Sequence, residues 1–455
     1  MTHEEGRRTA GSVFRPSSFV LALIIVAYLS VGTLYAVKTP AWQVPDEPAH
    51  YNYVRFVAEG RGLPVLQSSD YDAAYLESIK AARFPPSMPI DSIRYEFWQP
   101  PLYYALAAPI YLATSGSLLA LRLFSVALGG FVVVLAFLIV RRSAPGSLAL
   151  ALGSAAFVAF VPQHVAMMAG AQNDGVAELL LALIVLQMLN LELQTASLKW
   201  GRLGLTLGLA LLTKGTIYMA VPLVAVAIWL KYRSQSPRDS RWLVQRGVLA
   251  FGPALVLVLP WWIRNAAAYG WPDLVVSIRH DAVVLGQTTP AEWIARFGLG
   301  GYWRDFAVTT FHSFWGQFGW MGVPMNGRYY AILAGVSLVA FIGFIWYSNV
   351  KSQISNFKGH SRIANLKFET WILIFWVVFA ALDYVGYNVK YVQFQGRYLF
   401  PALIPIGLAF TIGLRQWTTL LPRAWRDLAL AVPFVGLVAL DVVALFRMIV
   451  PALTL

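Results

Sequence analysis

The stretch that decides the fold is LLALRLFSVALGGFVVVLAFLIVRR, residues 118–142. Arg122 is its single charged side chain before the pair Arg141–Arg142 at the end. A helix needs about 20 mainly apolar residues to cross the hydrocarbon core of a bilayer. The apolar run is continuous, whereas strands of a membrane β-barrel alternate apolar and polar residues. The stretch therefore predicts a membrane-spanning α-helix.

The composition of the whole chain points to the same class. The chain has 455 residues, 58% of them hydrophobic and 13% charged, whereas soluble domains carry roughly 25% charged residues. A soluble enzyme is therefore excluded. The chain has no Cys, which excludes disulfides, thiol catalysis and Cys-ligated metals. The net charge of +13 fits basic loops that orient membrane helices. Nucleic-acid binding is disfavoured because no long basic run is present.

Further apolar blocks predict an all-α, polytopic membrane protein with about eleven spanning helices. The segment 99–115 (QPPLYYALAAPIYLATS) is short and begins with two prolines, so we expect it to lie along the outer membrane interface. The expected spans lie at 18–37, 118–140, 147–169, 175–193, 201–213, 216–231, 247–263, 328–349, 370–388, 398–414 and 428–450.

The distribution of Lys and Arg sets the orientation. In this register the short basic loops share one side, which the positive-inside rule identifies as cytoplasmic. We therefore expect one multi-pass domain over 1–455 in the cell membrane, with two large external loops at 38–117 and 264–327. The N-terminus is then cytoplasmic and the C-terminus external. The basic residues assigned to the cytoplasmic side include Arg7, Arg8, Arg15, Arg141, Arg142, Lys358 and Arg362.

An acidic pair begins the first large loop. Asp46 and Glu47 stand between Pro45 and Pro48, just beyond the first helix. Prolines restrict the backbone around them, and a carboxylate near a low-dielectric boundary can be tuned as a general base. The alternative is that Asp46 caps a helix running from Pro48 to Glu59. The residues alone leave both possibilities open.

A second acidic turn, Asn173-Asp174-Gly175, lies between two predicted spans on the same side. Asp174 is either a simple turn or cap residue, or it joins Asp46 and Glu47 in an oxygen-rich site. Carboxylate sites of that kind suit Mg²⁺ or Mn²⁺. Asp46 and Asp174 are therefore also the candidate ligands for a divalent cation.

Three cations stand at outer ends of predicted helices: Lys214, Arg264 and Arg397. Each can extend along the membrane surface without a specific partner. Clustered together, they would bind a phosphate, because charge-assisted contacts to phosphate are strong and Arg supplies two donors at once. We predict a donor-phosphate site that also includes His50, Gln99 and Tyr103.

The run SFWGQFGW at 313–320 is denser in aromatic residues than an interfacial belt requires. Trp315, Gln317 and Trp320 are the candidates to line a groove for a lipid tail or a sugar ring. The chain has no GxxxxGK[ST] loop, HExxH, GxSxG or GxGxxG signature. Any chemistry must therefore use a substrate that is already activated.

The order of these motifs resembles the C-type glycosyltransferase (GT-C) superfamily. Within it, the chain is similar to bacterial relatives of the dolichyl-phosphate-mannose protein mannosyltransferases, and looks closest to a poorly characterised bacterial membrane family. The resemblance spans most of the chain. The motifs are VPDEPAHYNYVRF (44–56), WQPPLYY (98–104), NDG (173–175), GLALLTKGT (208–216), WWIRNAAAYGWP (261–272), SFWGQFGWM (313–321) and QGRYLFP (395–401).

The resemblance implies a membrane glycosyltransferase fold with juxtamembrane helices in the first external loop. It implies a polyprenyl-phosphate-linked sugar donor, inverting transfer on the outer face, and a glycan, lipid or protein acceptor. Asp46 inherits the role of base, Glu47 matches the second acid of the pair, and Asp174 matches the acidic residue of the second loop. Asn173 stands where some relatives have another acid, which puts an obligatory metal in doubt.

Two other functions stay open on the sequence. One is a lipid-linked glycan polymerase or ligase, which would rely more on Arg and His in external loops. The other is a transporter or flippase, which would carry ionisable residues at the membrane midplane. The ionisable residues within the later spans, Asp383, Asp441 and Arg447, lie toward helix ends. Transport is therefore disfavoured.

Overall fold

The computed structural model describes residues 16–192, 194, 196–356 and 367–454. Arg7, Arg8, Arg15, Lys358 and Arg362, which were assigned to the cytoplasmic side, lie outside the described residues. The helices are α1 (Pro16–Lys38), α2 (Glu47–Ala58), α3 (Ala73–Ala81), α4 (Leu102–Ala113), α5 (Leu118–Ser143), α6 (Leu148–Phe160), α7 (Pro162–Met168), α8 (Asp174–Leu189), α9 (Ser197–Leu211), α10 (Ala220–Arg233), α11 (Ser240–Tyr269), α12 (Ser277–Val283), α13 (Pro290–Trp315), α14 (Gly327–Asn356), α15 (Phe368–Lys390), α16 (Leu403–Thr418), α17 (Arg426–Ala444) and α18 (Val450–Leu453).

Short elements complete the described part of the chain. One antiparallel pair of two-residue strands, β1 (Gln317–Phe318) and β2 (Val323–Pro324), follows α13. Short helices of the 3₁₀ or π type precede or extend several α-helices, and their bounds are Ser68–Asp70, Gly215–Met219, Gly396–Ala402, Arg423–Trp425 and Leu445–Ile449. The all-α class predicted from the sequence is confirmed, and the chain is a multi-pass membrane protein.

The helix pattern matches the predicted spans in position more closely than in number. Among the described residues, eight helices are long and apolar enough to cross a membrane, or nine if the bent pair α6 and α7 forms one span. The pair bends by 63° just before Pro162, whose ring removes a backbone donor. The expected spans at 175–193 and 201–213 correspond to α8 and α9, which have 16 and 15 residues.

Three helices, α2, α3 and α4, occupy the first large loop, where juxtamembrane helices were expected without a fixed number. The helix expected over Pro48–Glu59 begins one residue earlier and ends one residue earlier, at Glu47 and Ala58. Helix α4, within the segment 99–115, is apolar but has 12 residues, fewer than a membrane-spanning helix needs. It packs on α2 through Tyr104, whose ring stacks on Tyr53 with centroids 3.5 Å apart. The loop is therefore a packed layer with its own aromatic core.

Small residues allow the long helices to approach closely. A Cβ atom added at Gly413 of α16 would lie 1.8 Å from the carbonyl oxygen of Ala340 in α14. One added at Gly343 would lie 2.1 Å from the carbonyl oxygen of Gly413. Small residues at such crossings bring helix backbones into van der Waals contact within membranes. Helix α16 is thereby fixed against α14, and the segment that precedes α16 is held in place with it.

Candidate functional site

Asp46 occupies the N-cap position of α2, but its side chain does not cap the helix. Its backbone is left-handed, with φ of 68°, and this turns the carboxylate away from the helix. The Tyr95 hydroxyl donates to Asp46 Oδ1 at 2.8 Å, and Arg397 Nη2 donates to Oδ2 at 3.0 Å. The capping alternative is therefore correct for the position of the residue and wrong for the role of its side chain.

Arg397 reaches Asp46 because the segment before α16 packs tightly on α13. A Cβ atom at Gly396 would lie 2.2 Å from the carbonyl oxygen of Thr310, so only glycine fits there. The Gly396 amide donates to the Ser313 hydroxyl at 2.7 Å. Arg397 Nε then donates to Gln395 Oε1 at 2.7 Å. The motif QGRYLFP thus supplies the close approach, the arginine and an amide that orients it.

Asp174 and Lys214 form a second ion pair, in which the Lys214 ammonium donates to Asp174 Oδ1. Asp174 is the first residue of α8, and Lys214 follows α9. The two turns are tied together by Asn173, whose side-chain amide donates to the Thr213 carbonyl at 3.1 Å. Asp174 also lies within electrostatic reach of Arg397 and His50. The structure therefore brings five predicted residues, Asp46, His50, Asp174, Lys214 and Arg397, into one charged cluster.

Glu47 points away from this cluster, into a buried ion pair. Arg122 Nε and Nη2 donate to the Glu47 carboxylate at 2.7 and 2.6 Å. The backbone amides of Trp42 and Ala171 also donate to Glu47, at 3.0 and 3.2 Å. Arg122 donates further to the carbonyls of Ala36 and Thr39. This geometry gives Glu47 a structural role in fixing the loop, and its predicted catalytic role has no support from its contacts.

His50 lies beside Asp46 on the next turn of α2. His50 Nδ1 and the Tyr104 hydroxyl are 2.8 Å apart. Burial lowers the pKa of His50 to about 4, and the nearby Asp46 charge only partly offsets that effect. His50 is therefore neutral at pH 7 and acts as a hydrogen-bonding group rather than as a phosphate-binding cation.

Glu96 belongs to the cluster and was missed by sequence reasoning. It is buried, and its Oε2 has no hydrogen-bond partner in the described part of the chain. Burial and the Asp46 charge raise the pKa of Glu96 to about 7. The signal available in the sequence was its position, since Tyr95 and Glu96 are separated from the aromatic WQPPLYY motif only by Phe97.

The charge on Asp46 depends on its partners. Burial alone raises the pKa of Asp46, but the charge of Arg397 and the hydrogen bonds from Tyr95 and Arg397 outweigh it, and His50 adds to the effect only when it is protonated. The net effect lowers the pKa of Asp46 below its usual value. Asp46 is therefore ionised at neutral pH, as a general base must be.

Of three further residues predicted for the donor site, Arg264 makes its contacts elsewhere, whereas Gln99 and Tyr103 border the cluster. The Gln99 side chain hydrogen-bonds to Glu96, and the Tyr103 ring packs edge-on near His50, with centroids 6.5 Å apart. Arg264 donates to the carbonyls of Leu63 and Pro64 in the first loop, and its guanidinium lies over aromatic rings of the same region. Gln99 and Tyr103 are buried in the aromatic core of that loop, where the Tyr53 hydroxyl donates to the Gln99 carbonyl at 3.2 Å. Their predicted contact with phosphate stays untested.

The three residues predicted to line a groove are separated by the fold. Trp315 is buried against the rings of Phe157 and Phe410. Gln317 lies in β1, and its amide nitrogen Nε2 donates to the Met321 carbonyl at 2.9 Å. Trp320 donates from its indole nitrogen to the Trp42 carbonyl at 2.9 Å, close to the Asp46 turn. Trp315 therefore belongs to the core, which leaves Gln317 and Trp320 as candidates for a ligand surface.

The predicted divalent cation does not fit the arrangement of side chains. No group of three or more His, Asp or Glu side chains that could hold a metal ion occurs among the described residues. Asp46 and Asp174 each already accept from a cation, Arg397 and Lys214 respectively. We therefore derive no step through a metal, and the metal stays a prediction.

Solved structures with the same architecture identify the fold. ArnT from Cupriavidus metallidurans, bound to undecaprenyl phosphate, aligns with a TM-score of 0.51 and 13% identity over 96% of this chain and 74% of that one. The Archaeoglobus fulgidus oligosaccharyltransferase, in complex with Zn and sulfate, aligns with a TM-score of 0.55 and 13% identity over 94% of this chain and 52% of that one. The chain thus spans about half the length of the archaeal enzyme. These likenesses show that the fold is the GT-C fold.

The sequence itself places the chain in one family. Residues 94–405 match the family described as "Predicted membrane protein (DUF2142)", and the chain belongs to that family. A search of the curated proteins finds no match.

A second structure of the Archaeoglobus fulgidus oligosaccharyltransferase, which is named AglB, contains an inhibitory peptide and a dolichol-phosphate. It aligns with a TM-score of 0.51 and 12% identity over 95% of this chain and 55% of that one.

Proposed function

We propose that this chain is a membrane glycosyltransferase that moves a sugar from a polyprenyl-phosphate-linked donor to an acceptor hydroxyl on the outer face of the membrane. The observation that carries the proposal is the Asp46–Arg397 contact in a chain with the GT-C fold. It joins an ionised carboxylate to a cation that can bind phosphate. The undecaprenyl phosphate in ArnT and the dolichol-phosphate in AglB support a lipid phosphate as the donor's carrier.

Asp46 is the proposed general base. The acceptor hydroxyl is a poor nucleophile, and Asp46 takes its proton as the new bond to the anomeric carbon forms. The bond from that carbon to the phosphate oxygen breaks on the opposite side, so the configuration inverts. General base catalysis is typically worth about 10²–10⁴-fold in rate. The anomeric carbon develops oxocarbenium character in such a step.

Lys214 and Arg397 are the proposed partners of the leaving phosphate. The leaving polyprenyl phosphate gains one negative charge, and cations placed in advance stabilise it. Arg397 Nη2 donates to Asp46 and Nε donates to Gln395, while Nη1 has a weak contact with the Met167 sulfur at 3.8 Å. Nη1 is therefore the nitrogen of Arg397 that we expect to donate to a phosphate oxygen.

Asp174 and Glu96 tune these charges in the proposed mechanism. Asp174, at the start of α8, holds the Lys214 ammonium in an ion pair. Glu96 shares the environment of Asp46, Lys214 and Arg397. In the absence of donor, the carboxylates neutralise the cations, and the donor phosphate replaces part of that interaction when it binds.

The experiment that tests the proposal is a transfer assay on the purified full chain in lipid nanodiscs. Polyprenyl-phosphate hexoses and pentoses with a radiolabelled sugar are supplied together with an extract of membrane glycans and lipids. We expect the label to leave the polyprenyl fraction when the folded chain is present, and to stay in that fraction when the chain is absent or denatured. No release of sugar from any donor, by transfer or by hydrolysis, would overturn the proposal.

A further inference from the structure

A cavity of about 330 Å³ lies outside the charged cluster, at the beginning of α13. This volume falls at the lower end of the range for small-molecule sites, about 300–1,000 Å³. None of the residues predicted from the sequence lines it. Its lining combines two aromatic rings with four polar side chains, those of Trp293, Phe297, Gln287, Thr288, Glu292 and Arg296.

The lining favours a neutral, hydroxyl-rich ligand. The Trp293 ring is fixed because its indole nitrogen donates to Asp305 at 3.2 Å and its face packs near Phe297, with centroids 4.9 Å apart. Sugar rings present C–H groups to such faces and hydroxyls to neighbouring polar groups. Glu292 and Arg296 carry opposite charges, so the cavity has no excess positive charge to select a phosphate.

Three glutamines connect this cavity to the charged cluster. Gln393 Nε2 donates to Gln287 Oε1 at 3.3 Å, and Gln395 Nε2 donates to Gln393 Oε1 at 2.7 Å. Arg397 Nε donates to Gln395 Oε1, and Arg397 Nη2 donates to Asp46. Four successive hydrogen bonds therefore run from the cavity wall to the proposed base.

The direction of this series is fixed by chemistry. A guanidinium only donates, so Gln395 must accept from Arg397 with its oxygen and donate with its nitrogen. Gln393 must then accept from Gln395 with its oxygen and donate to Gln287 with its nitrogen. The Gln287 oxygen is therefore used, and its nitrogen has only a long contact of 3.5 Å to the Val284 carbonyl. Gln287 thus offers an N–H donor at the cavity, which suits a hydroxyl oxygen.

We propose that the cavity binds a neutral sugar unit of the acceptor, and that Gln393 and Gln395 are positioning residues that couple this site to Arg397 and Asp46. Because four hydrogen bonds separate Gln287 from Asp46, the bound unit is not the one that carries the reacting hydroxyl. The acceptor is therefore a glycan of more than one sugar. The identification of the bound glycan as the acceptor rests on the proposed function, whereas the binding of a sugar in the cavity does not depend on it.

Binding is tested by saturation-transfer NMR on the full chain in nanodiscs, without donor. The probes are methyl glycosides of glucose, galactose and mannose. We expect at least one to bind, and Gln287→Leu to weaken it about 3- to 10-fold, the effect of losing one hydrogen bond. Phe297→Ala, at an exposed ring, is a second variant with the same expectation. The matched control is Gln245→Leu, on the exposed surface of α11 near its start, which should change nothing.

Three binding results would overturn the inference. One is that no glycoside binds. The second is that Gln287→Leu and Phe297→Ala bind as wild type does. The third is that inorganic phosphate displaces the glycoside, which would identify an anion site.

Coupling is tested with Gln393→Leu, which breaks the series of hydrogen bonds without removing a residue that lines the cavity. We expect glycoside binding to weaken less than in Gln287→Leu, because Gln287 stays at the cavity and loses only the partner that orients its amide. The acidic limb of the pH–rate profile should move to higher pH, because an Arg397 held less firmly on Asp46 lowers the Asp46 pKa less. An unchanged profile would overturn the coupling.

The outcomes separate this inference from the proposed function. Transfer activity without glycoside binding would refute the cavity assignment alone. Glycoside binding that responds to Gln287→Leu, in a chain that never releases sugar from a donor, would refute the glycosyltransferase proposal alone.

Discussion

Arg397 Nη2 lies 3.0 Å from Asp46 Oδ2, although 351 residues separate them along the chain. The contact joins the segment before α16 to the turn that follows α1. It also explains why Asp46 stands at a helix N-terminus without capping it, since the carboxylate already has two partners, Tyr95 and Arg397. The proposed base therefore depends on a segment that is distant along the chain.

Replacing Asp46 by Asn is expected to reduce sugar transfer by roughly two orders of magnitude or more, because it removes the proton acceptor. Folding should survive, since the side chain makes no cap bond that Asn would have to replace. The measurement is the single-turnover rate in nanodiscs. The control is Asp72→Asn, at an exposed N-cap of the same loop. A wild-type rate in Asp46→Asn would exclude Asp46 as the base.

Neutralising the two cations of the cluster is expected to weaken donor binding. A charge-assisted contact to phosphate contributes about 1.5–3 kcal/mol, so Lys214→Met and Arg397→Gln should each raise the donor Kd roughly 10- to 150-fold. Arg264→Gln is the comparison, because Arg264 is bound to carbonyls of the first loop. Equal effects of all three variants would show that Arg264 also reaches the phosphate.

Glu96 gives a pH dependence of known sign. Its pKa in the folded chain is about 7, against 4.5 for an ordinary glutamate, so the folded state binds more protons between these values. The stability that Glu96 contributes is present below pH 4.5 and is lost as the pH rises through 7, by up to about 3 kcal/mol. We therefore measure the unfolding midpoints of wild type and Glu96→Gln at pH 5 and at pH 8. The midpoint of wild type, relative to that of the variant, should be lower at pH 8 than at pH 5. Glu59→Gln, at an exposed glutamate of the same loop, should show no such trend.

The Glu47–Arg122 pair is expected to govern stability rather than chemistry. Breaking a buried ion pair by removing one partner costs about 3–5 kcal/mol. Glu47→Gln and Arg122→Met should each lower the unfolding midpoint strongly, and the double variant should cost less than the sum of the two. If Glu47→Gln unfolds as wild type does but stops transfer, the residue is catalytic after all.

The orientation of the chain is open to a direct test. Reporter fusions after Ser143 and after Ser234 should read as cytoplasmic, because both follow helices that end in basic residues. A fusion within the first loop should read as external. An external reading after Ser143 would invert the topology and move the proposed site to the cytoplasmic face.

Sequence periodicity and hydropathy predicted the helices because each apolar block carries its own signal. The first-loop helices were also predictable, since Pro48 and the acidic pair mark the start of α2. The bend before Pro162 and the shortness of α8 and α9 were not, because a continuous apolar run does not reveal where a helix breaks.

The site was predicted in part, and its limits have a physical reason. Asp46, Asp174, Lys214 and Arg397 stood out as charges beside membrane helices. Which cation pairs with which carboxylate is decided by long-range packing, for example by the close approach at Gly396. Arg122 was visible as the one charge inside an apolar stretch, yet its partner Glu47 was interpreted as catalytic. Glu96 precedes one of the quoted motifs and Gln395 begins another, but neither motif indicates which charged side chains they meet. Gln393 carries no local signal, and the fold brings all three residues to the site.

The left-handed backbone at Asp46, with φ of 68°, has a consequence for how this chain can evolve. Such a conformation costs most L-residues roughly 1–2 kcal/mol, although Asp and Asn adopt it more readily than other non-glycine residues. Glycine at position 46 would remove the remaining strain, but it would also leave the Arg397 guanidinium without its carboxylate partner, and an unpaired buried charge costs more than the strain. Selection for heat resistance alone should therefore retain aspartate at position 46, even in chains that have lost activity.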